Sequence, residues 1–341
     1  MDNIFLGNNT TEKLQTLIET QNITRIFLVT NRNSFISSGV SDHIFQNLVN
    51  CEYRRYKDFS VNPKFEEIEY GVKEVNEFKP ELIVGVGGGS AMDMAKLIFH
   101  SVDDSKIELM CIPTTSGSGS EATQFAVYYK DGKKQSLDDP KILPKHVIVD
   151  GYLTQNLPKH ITAYTGIDAI AQAMESFWSV SATSDSKLIA LKSLEYTVPT
   201  IFNAVNNPTL DDREKMAIGS FYAGQAINMT RTTAPHAFSY YLTSNFNYPH
   251  GHAVGLVIPF FILENAKHCD LTPLLNIFGV TSVQQLKEKF QVIMENVGLE
   301  NDLYKIVKDD MDNFLDAVNM DRLKNNPAQL NKEEFRELFS H

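Results

Sequence analysis

Three of the nine histidines fall within one short stretch of the chain. His236 lies in Ala234-Pro235-His236-Ala237, and His250 and His252 lie in Tyr248-Pro249-His250-Gly251-His252. Neutral imidazole is a common ligand for divalent transition metals, and prolines beside two of these histidines pin the backbone that carries them. Upstream, Asp168 and Gln172 are four residues apart in a helical pattern, which sets both side chains on one face. A metal shared by these groups would act as a Lewis acid on a carbonyl oxygen. Asp168 also closes a capping box, Thr165-Gly166-Ile167-Asp168, and on spacing alone the cap is the stronger reading of that residue.

A second kind of chemistry is written into two polar loops. Gly85-Val86-Gly87-Gly88-Gly89-Ser90 follows an apolar strand-like run and precedes the helical Ala91-Met92-Asp93-Met94-Ala95-Lys96. Glycines there let the backbone approach a ligand, and a helix start offers unpaired N–H groups to a phosphate, so the loop predicts pyrophosphate binding. It departs from the strict dinucleotide fingerprint because Ser90 stands at the third glycine and the loop comes late in the domain; the alternative is a plain strand-to-helix turn. Pro113-Thr114-Thr115-Ser116-Gly117-Ser118-Gly119-Ser120-Glu121 follows the next apolar run. Ligands gather at the carboxyl ends of parallel strands, so two such loops after adjacent strands would serve one crevice.

The elements that must position these groups come in two textures. In the first half, short apolar runs at Arg25–Thr30, 82–86, 109–112 and His146–Val149 alternate with helical patterns at 64–78 and 91–100, which predicts a mostly parallel sheet covered by helices on both faces. From about Thr162 the long segments 167–178, 186–205, 213–228 and 283–297 are helical in period. The expected division is a nucleotide-binding α/β domain over residues 1–158 and a helical metal- and substrate-binding domain over 159–341. The full chain of 341 residues suits two domains. Its net charge of -11, with no basic block, argues against nucleic acid and anionic membrane as partners. Cys51, Cys111 and Cys269 are too few and too scattered for a disulfide framework, and the start MDNIFLGNNTTEKL lacks the features of a secretion signal. A soluble cytoplasmic protein is the expectation.

The set Gly87-Gly88-Gly89-Ser90, Ile112-Pro113-Thr114-Thr115-Ser116-Gly117-Ser118, Asp168, His236 and Pro249-His250-Gly251 resembles the iron-containing, group III alcohol dehydrogenases along nearly the whole chain. The 14-residue step from His236 to His250 matches that family's spacing. The resemblance implies a Rossmann-like parallel-sheet domain followed by an all-α domain, the architecture shared with dehydroquinate synthase. It also implies a nicotinamide cofactor, NADPH or NADH, and a divalent metal, iron or zinc. Position by position, it puts cofactor contacts on Asn31, Asn62, Gly88, Gly89, Ser90, Thr114, Thr115, Ser118 and Lys134, and metal ligands on Asp168, Gln172, His236 and His250. Three departures stand out: Gln172 and Tyr240 occupy positions where most or many members have histidine, and Asn31 replaces an aspartate that holds the ribose hydroxyls of NAD. Loss of that charge, with Arg32 beside it, predicts acceptance of NADPH.

The segments Thr232 to Ala237, Pro249 to Val254 and Ala169 to Ser179 look similar to one branch, the phosphonoacetaldehyde reductases, which make 2-hydroxyethylphosphonate. The expected reaction is therefore reduction of an aldehyde to a primary alcohol, with a phosphonate among the candidate substrates and a homodimer among the candidate assemblies. His252 and Tyr240 are the expected proton relay, and Arg231 the expected cation for a substrate anion. A sugar-phosphate cyclase related to dehydroquinate synthase, or a binding homologue without catalysis, are the alternatives.

Overall fold

Alternation along Ile26-Phe27-Leu28-Val29 sends successive side chains to opposite faces of a strand, and all four are fully buried, so both faces of that strand must be covered. The computed structural model describes residues 3–48, 50–102 and 104–340. The chain divides into two compact units, Met1–Leu157 and Pro158–His341. In the first, the strands are β1 (Asn3–Leu6), β2 (Arg25–Thr30), β3 (Glu52–Tyr56), β4 (Leu82–Gly87), β5 (Glu108–Pro113), β6 (Phe125–Lys130), β7 (Lys133–Asp138) and β8 (His146–Val149). Six of them form a sheet of order β1-β8-β5-β4-β2-β3 in which every neighbouring pair is parallel. Ile26, Leu28, Val84 and Met110 pack on one face of it, and Phe27, Val29, Ile83 and Leu109 on the other.

The order of the strands decides where ligands can sit. From β2 the chain adds β3 on one side, and from β4 it adds β5 on the other, so the progression reverses between β2 and β4. Crevices open at such reversals, outside the carboxyl ends of the strands. The loops after β2, β4 and β5 carry Asn31, Gly88 and Thr114 respectively. β6 and β7 form a separate antiparallel hairpin, whose turn residues Asp131 and Gly132 both have positive φ.

The second unit is built on the Lys159–Trp178 helix, which is buried at every position from Gly166 to Trp178. A helix buried on all sides needs partners on all sides, and Ser184–Thr197, Leu210–Thr230 and His250–Asn265 supply them. Two expectations change here. The periodic stretch 186–205 is two helices, Ser184–Thr197 and Ile201–Asn206, because Pro199 interrupts it. Asp168 is not a cap: the helix begins at Lys159, directly after Pro158, so Asp168 lies in its interior, and the Thr165 hydroxyl instead donates to Ile161 O at 2.8 Å. Among the described residues no helix is long and apolar enough to cross a membrane.

Candidate active site

In the first unit the cofactor candidates converge around a glycine turn. Gly87 ends β4 with φ +154°, and a Cβ there would stand 2.7 Å from both Ala91 Cβ and Asn31 Oδ1, so only glycine fits. Gly88 caps the Gly89–Ser101 helix. The loop after β5 lies against it: Thr114 N donates to Gly87 O at 2.9 Å, Thr115 lies 3.4 Å from the Cβ position of Gly88, and Ser118 lies 3.2 Å from that of Gly89. Asn31, Gly88, Gly89, Thr114, Thr115 and Ser118 are thus one neighbourhood, with Ser90 in the first turn of the helix. Asn62, exposed, follows β3, and Lys134, exposed, sits on the β6–β7 hairpin. Arg32 is engaged by Asp58 at the surface.

Beneath these loops lies a buried polar cluster. Lys96 is fully buried, and its ammonium reaches Ser120 Oγ at 3.0 Å, Thr123 O at 2.8 Å, Thr123 Oγ1 at 3.2 Å and Phe125 O at 2.9 Å. Asp93, one turn earlier on that helix, accepts from Ser120 Oγ at 2.6 Å and Val127 N at 3.1 Å. Burial pushes the Lys96 ammonium down against the pull of Asp93, and pushes the Glu121 carboxyl up to about 7. Two charged residues inside an otherwise apolar helix were the only sign of this cluster in the sequence.

The second unit brings Asp168, His236 and His250 together. One ligand atom from each lies within 4.8 Å of the others. His236 Nε2 stands 3.5 Å and His250 Nε2 4.0 Å from Asp168 Oδ1, distances of ion pairs rather than hydrogen bonds. The buried Oδ1 itself has no hydrogen-bond partner. Three helices deliver the groups: Asp168 from the interior of Lys159–Trp178, His236 from the first turn of Ala234–Phe246, and His250 from the first residue of His250–Asn265. Gly251 makes this possible, because a Cβ on it would meet Tyr164 O at 2.0 Å and Asp168 Cβ at 2.7 Å. Gln172, buried, is one turn from Asp168 on the same helix face.

Glu175, which sequence reasoning passed over, orients His236. It is fully buried on the same helix face as Asp168, seven residues on, and its Oε1 pairs with His236 Nδ1. Its Oε2 accepts from Thr233 N at 2.5 Å and Thr233 Oγ1 at 2.8 Å. Burial alone would lower the His236 imidazole, but the Glu175 and Asp168 carboxylates outweigh it and lift it to about 9. The i, i+7 repeat of acids within one apolar helix was the available signal.

The remaining candidates separate. The Tyr240 ring lies parallel to that of His250, 8° apart in plane with centroids 6.0 Å apart, and its hydroxyl accepts from Arg322 at 2.7 Å. Burial raises the Tyr240 phenol, with Arg322 opposing. His252 is two residues past His250, about 200° round the helix. There its Nε2 contacts Glu300 O at 2.8 Å, and burial lowers its imidazole. Arg231 ends the Leu210–Thr230 helix at φ 66°, ψ 172°, a region that favours glycine, and donates to Asn228 O at 2.5 Å.

Residues 2–151 match the iron-containing alcohol dehydrogenase family, and residues 162–341 match the C-terminal part of the Fe-containing alcohol dehydrogenase family. Aldehyde-alcohol dehydrogenase 2 of Entamoeba histolytica is 30% identical over 283 residues, 74% of this chain and 32% of that protein. The chain thus spans about a third of the length of such curated relatives. NADPH-dependent butanol dehydrogenase of Clostridium saccharobutylicum is 25% identical over 380 residues, covering 98% of this chain and 95% of that protein. In structure, the sulfoacetaldehyde reductase of Bifidobacterium kashiwanohense, solved in complex with NAD+, is similar with a TM-score of 0.93 and 26% identity, over 99% of this chain and 96% of that one. With residues 2–151 and 162–341 both matched and the fold shared, the chain belongs to the iron-containing alcohol dehydrogenase family.

Proposed function

We propose that this chain reduces an aldehyde to a primary alcohol with NADPH or NADH, using a divalent metal, iron or zinc. The observation that carries the reading is Asp168 Oδ1, a buried carboxylate oxygen without a hydrogen bond that faces two imidazole nitrogens. Buried polar atoms are nearly always satisfied, so this one asks for a partner, and one carboxylate with two imidazoles suits a divalent metal. Gln172 would add a neutral and weaker amide oxygen. When bound, the metal supplies Lewis acidity at the carbonyl oxygen and the nicotinamide supplies the hydride.

The chain's own residues set up the rest. Glu175 holds His236 through Nδ1 and so presents Nε2 toward Asp168. Tyr240, against His250, keeps its phenolic proton at neutral pH and would deliver it to the nascent alkoxide; His252, bonded to Glu300 O, is the less direct relay. Gly88, Gly89, Ser90, Thr114, Thr115 and Ser118 would cradle the pyrophosphate, with Asn31, Asn62 and Lys134 as further contacts. Asn31 removes the charge that would repel a 2′-phosphate, which supports use of NADPH.

For the aldehyde, the branch resemblance favours phosphonoacetaldehyde, and the similar solved structure is of a reductase of sulfoacetaldehyde. Both are two-carbon aldehydes ending in a fixed anion. Metal analysis of the purified protein, combined with NADPH and NADH oxidation on these two aldehydes and a neutral one, tests the proposal. About one metal per chain and aldehyde-dependent oxidation are expected. Metal-loaded protein inert toward every aldehyde, or full turnover by metal-free protein, would overturn it.

A further inference from the structure

Arg322 stands one side chain away from the metal-ligand cluster. Its guanidinium lies 4.9 Å from the centre of the Tyr240 ring, its Nη1 donates to the Tyr240 hydroxyl, and that ring lies parallel to His250. A guanidinium has five N–H donors, and Tyr240 uses one. Among the described residues no carboxylate pairs with Arg322, although other arginines at or near the surface find one: Arg32 has Asp58, Arg54 has Glu74 and Arg336 has Asp312. The acid beside it in sequence, Asp321, is taken by Lys324 at 2.6 Å.

The segment carrying Arg322 is also held in place. Asn325 Nδ2 donates to Thr230 O at 2.8 Å and Thr232 O at 3.0 Å, while its Oδ1 accepts from Ser179 Oγ at 2.8 Å. Asn326, fully buried, exchanges side-chain hydrogen bonds with Asn265 at 3.1 and 2.9 Å. The residues that Asn325 grips lead directly into Thr233, which binds the Glu175 that orients His236. Arg322 and the metal ligands therefore share one frame, so its cation is preorganised rather than trailing from a mobile tail.

We infer that Arg322 is the specificity-determining residue that pairs with a sulfonate or phosphonate on the aldehyde, which makes short anionic aldehydes the substrate class. This rests on the reading of the site as an aldehyde reductase. A chain of net charge -11 repels anions at long range, so an anionic substrate needs a local cation with donors to spare, and a planar guanidinium matches a tetrahedral oxyanion in a two-pronged contact. Of the two candidate cations, Arg322 is favoured over Arg231 because its guanidinium stands on the Tyr240 ring that lies parallel to His250.

The test compares kcat/KM of the metal-loaded enzyme for phosphonoacetaldehyde, sulfoacetaldehyde and propanal in the unmutated protein, Arg322→Met and Arg322→Lys. The ratio of anionic over neutral aldehyde should fall about tenfold or more in Arg322→Met, mainly through KM, with Arg322→Lys between the two. The better of the two anionic aldehydes identifies the anion. Equal losses on anionic and neutral aldehydes would reduce Arg322 to a prop for Tyr240, and a preference of the unmutated enzyme for propanal would reject the substrate class. If no aldehyde is turned over, the reductase reading fails on its own. Calorimetric titration with 2-hydroxyethylphosphonate and 2-hydroxyethanesulfonate then still decides: binding lost in Arg322→Met supports the anion site, and equal or absent binding in both proteins overturns it.

Discussion

Lys96 with Asp93 in the first unit, and Asp168 with His236 and His250 in the second, are two groupings of ionisable side chains, buried or half-buried, that end in opposite states. The Lys96 ammonium spends its donors on oxygens of the 120–125 segment, and Asp93 accepts on both carboxylate oxygens. Asp168 keeps one oxygen without a hydrogen bond, facing two imidazoles. Each grouping has buried members, Lys96 in one and Asp168 and His236 in the other, and both contain groups pushed off their ordinary pKa, so neither burial nor titration separates them. What separates them is satisfaction: a closed network is scaffold, whereas a buried carboxylate oxygen without a hydrogen bond, facing two imidazoles, has the character of a ligating group.

Removing a member of the open grouping should cost function and spare the fold. His250→Ala is expected to lose its metal and about a thousandfold in turnover, the scale of losing the main stabiliser of developing oxyanion charge, with little change in the circular-dichroism spectrum. Metal analysis and NADPH oxidation measure it, and a fully active variant without metal would erase the contrast. Removing a member of the closed grouping should do the reverse. Lys96→Met leaves the half-buried Asp93 without its cation and strands the oxygens that the ammonium satisfied, and should cost about 3–5 kcal/mol in urea unfolding, far more than Asp168→Asn in metal-free protein. Equal costs would make both groupings scaffold.

The closed grouping also carries a pH signature. Glu121, buried and lifted to about 7 from an ordinary 4.5, holds in the folded state a proton that the unfolded chain has already released. Stability should therefore fall as pH rises from about 4.5 to about 7, by about 3 kcal/mol in all, and then level. Unfolding titrations at pH 5 and pH 8 should show this drop in the unmutated chain and a much smaller one in Glu121→Gln; a drop of the same size in both would place its origin elsewhere. The smallest effect concerns the neutral loops above that grouping. Asn31→Asp adds a charge against Gly87 and should cut NADPH use about tenfold, or about 1.4 kcal/mol, while NADH use hardly changes. An equal response of both cofactors would mean that Asn31 does not face the ribose.

Legibility in the sequence followed the strength of local signals. β2, β4, β5 and β8 are apolar runs buried on both faces and could be read directly. β3, Glu-Tyr-Arg-Arg-Tyr, is an edge strand whose charged composition hides it, and β1 has only four residues. The β6–β7 hairpin did carry a signal, Asp131-Gly132 at its turn, which sequence reading left unused. At the site, Asp168, His236 and His250 were legible because ligating side chains advertise themselves by type. Glu175 and Arg322 were not, because their importance lies in what they touch: a histidine 61 positions later for one, a tyrosine 82 positions earlier for the other.

Trp178 is the sole tryptophan of the chain and is buried. Its indole N–H donates to Thr233 Oγ1 at 3.1 Å, and that hydroxyl donates in turn to the carboxylate that grips His236. All the indole emission of this protein therefore arises from a single fluorophore joined through three hydrogen bonds to the Nδ1 side of His236, a proposed metal ligand. Loading or stripping the metal changes the charge on that imidazole's partners, and the wavelength and yield of indole light follow the local field. The chain thus carries its own optical gauge of occupancy, readable without a label, an added dye or a turnover assay.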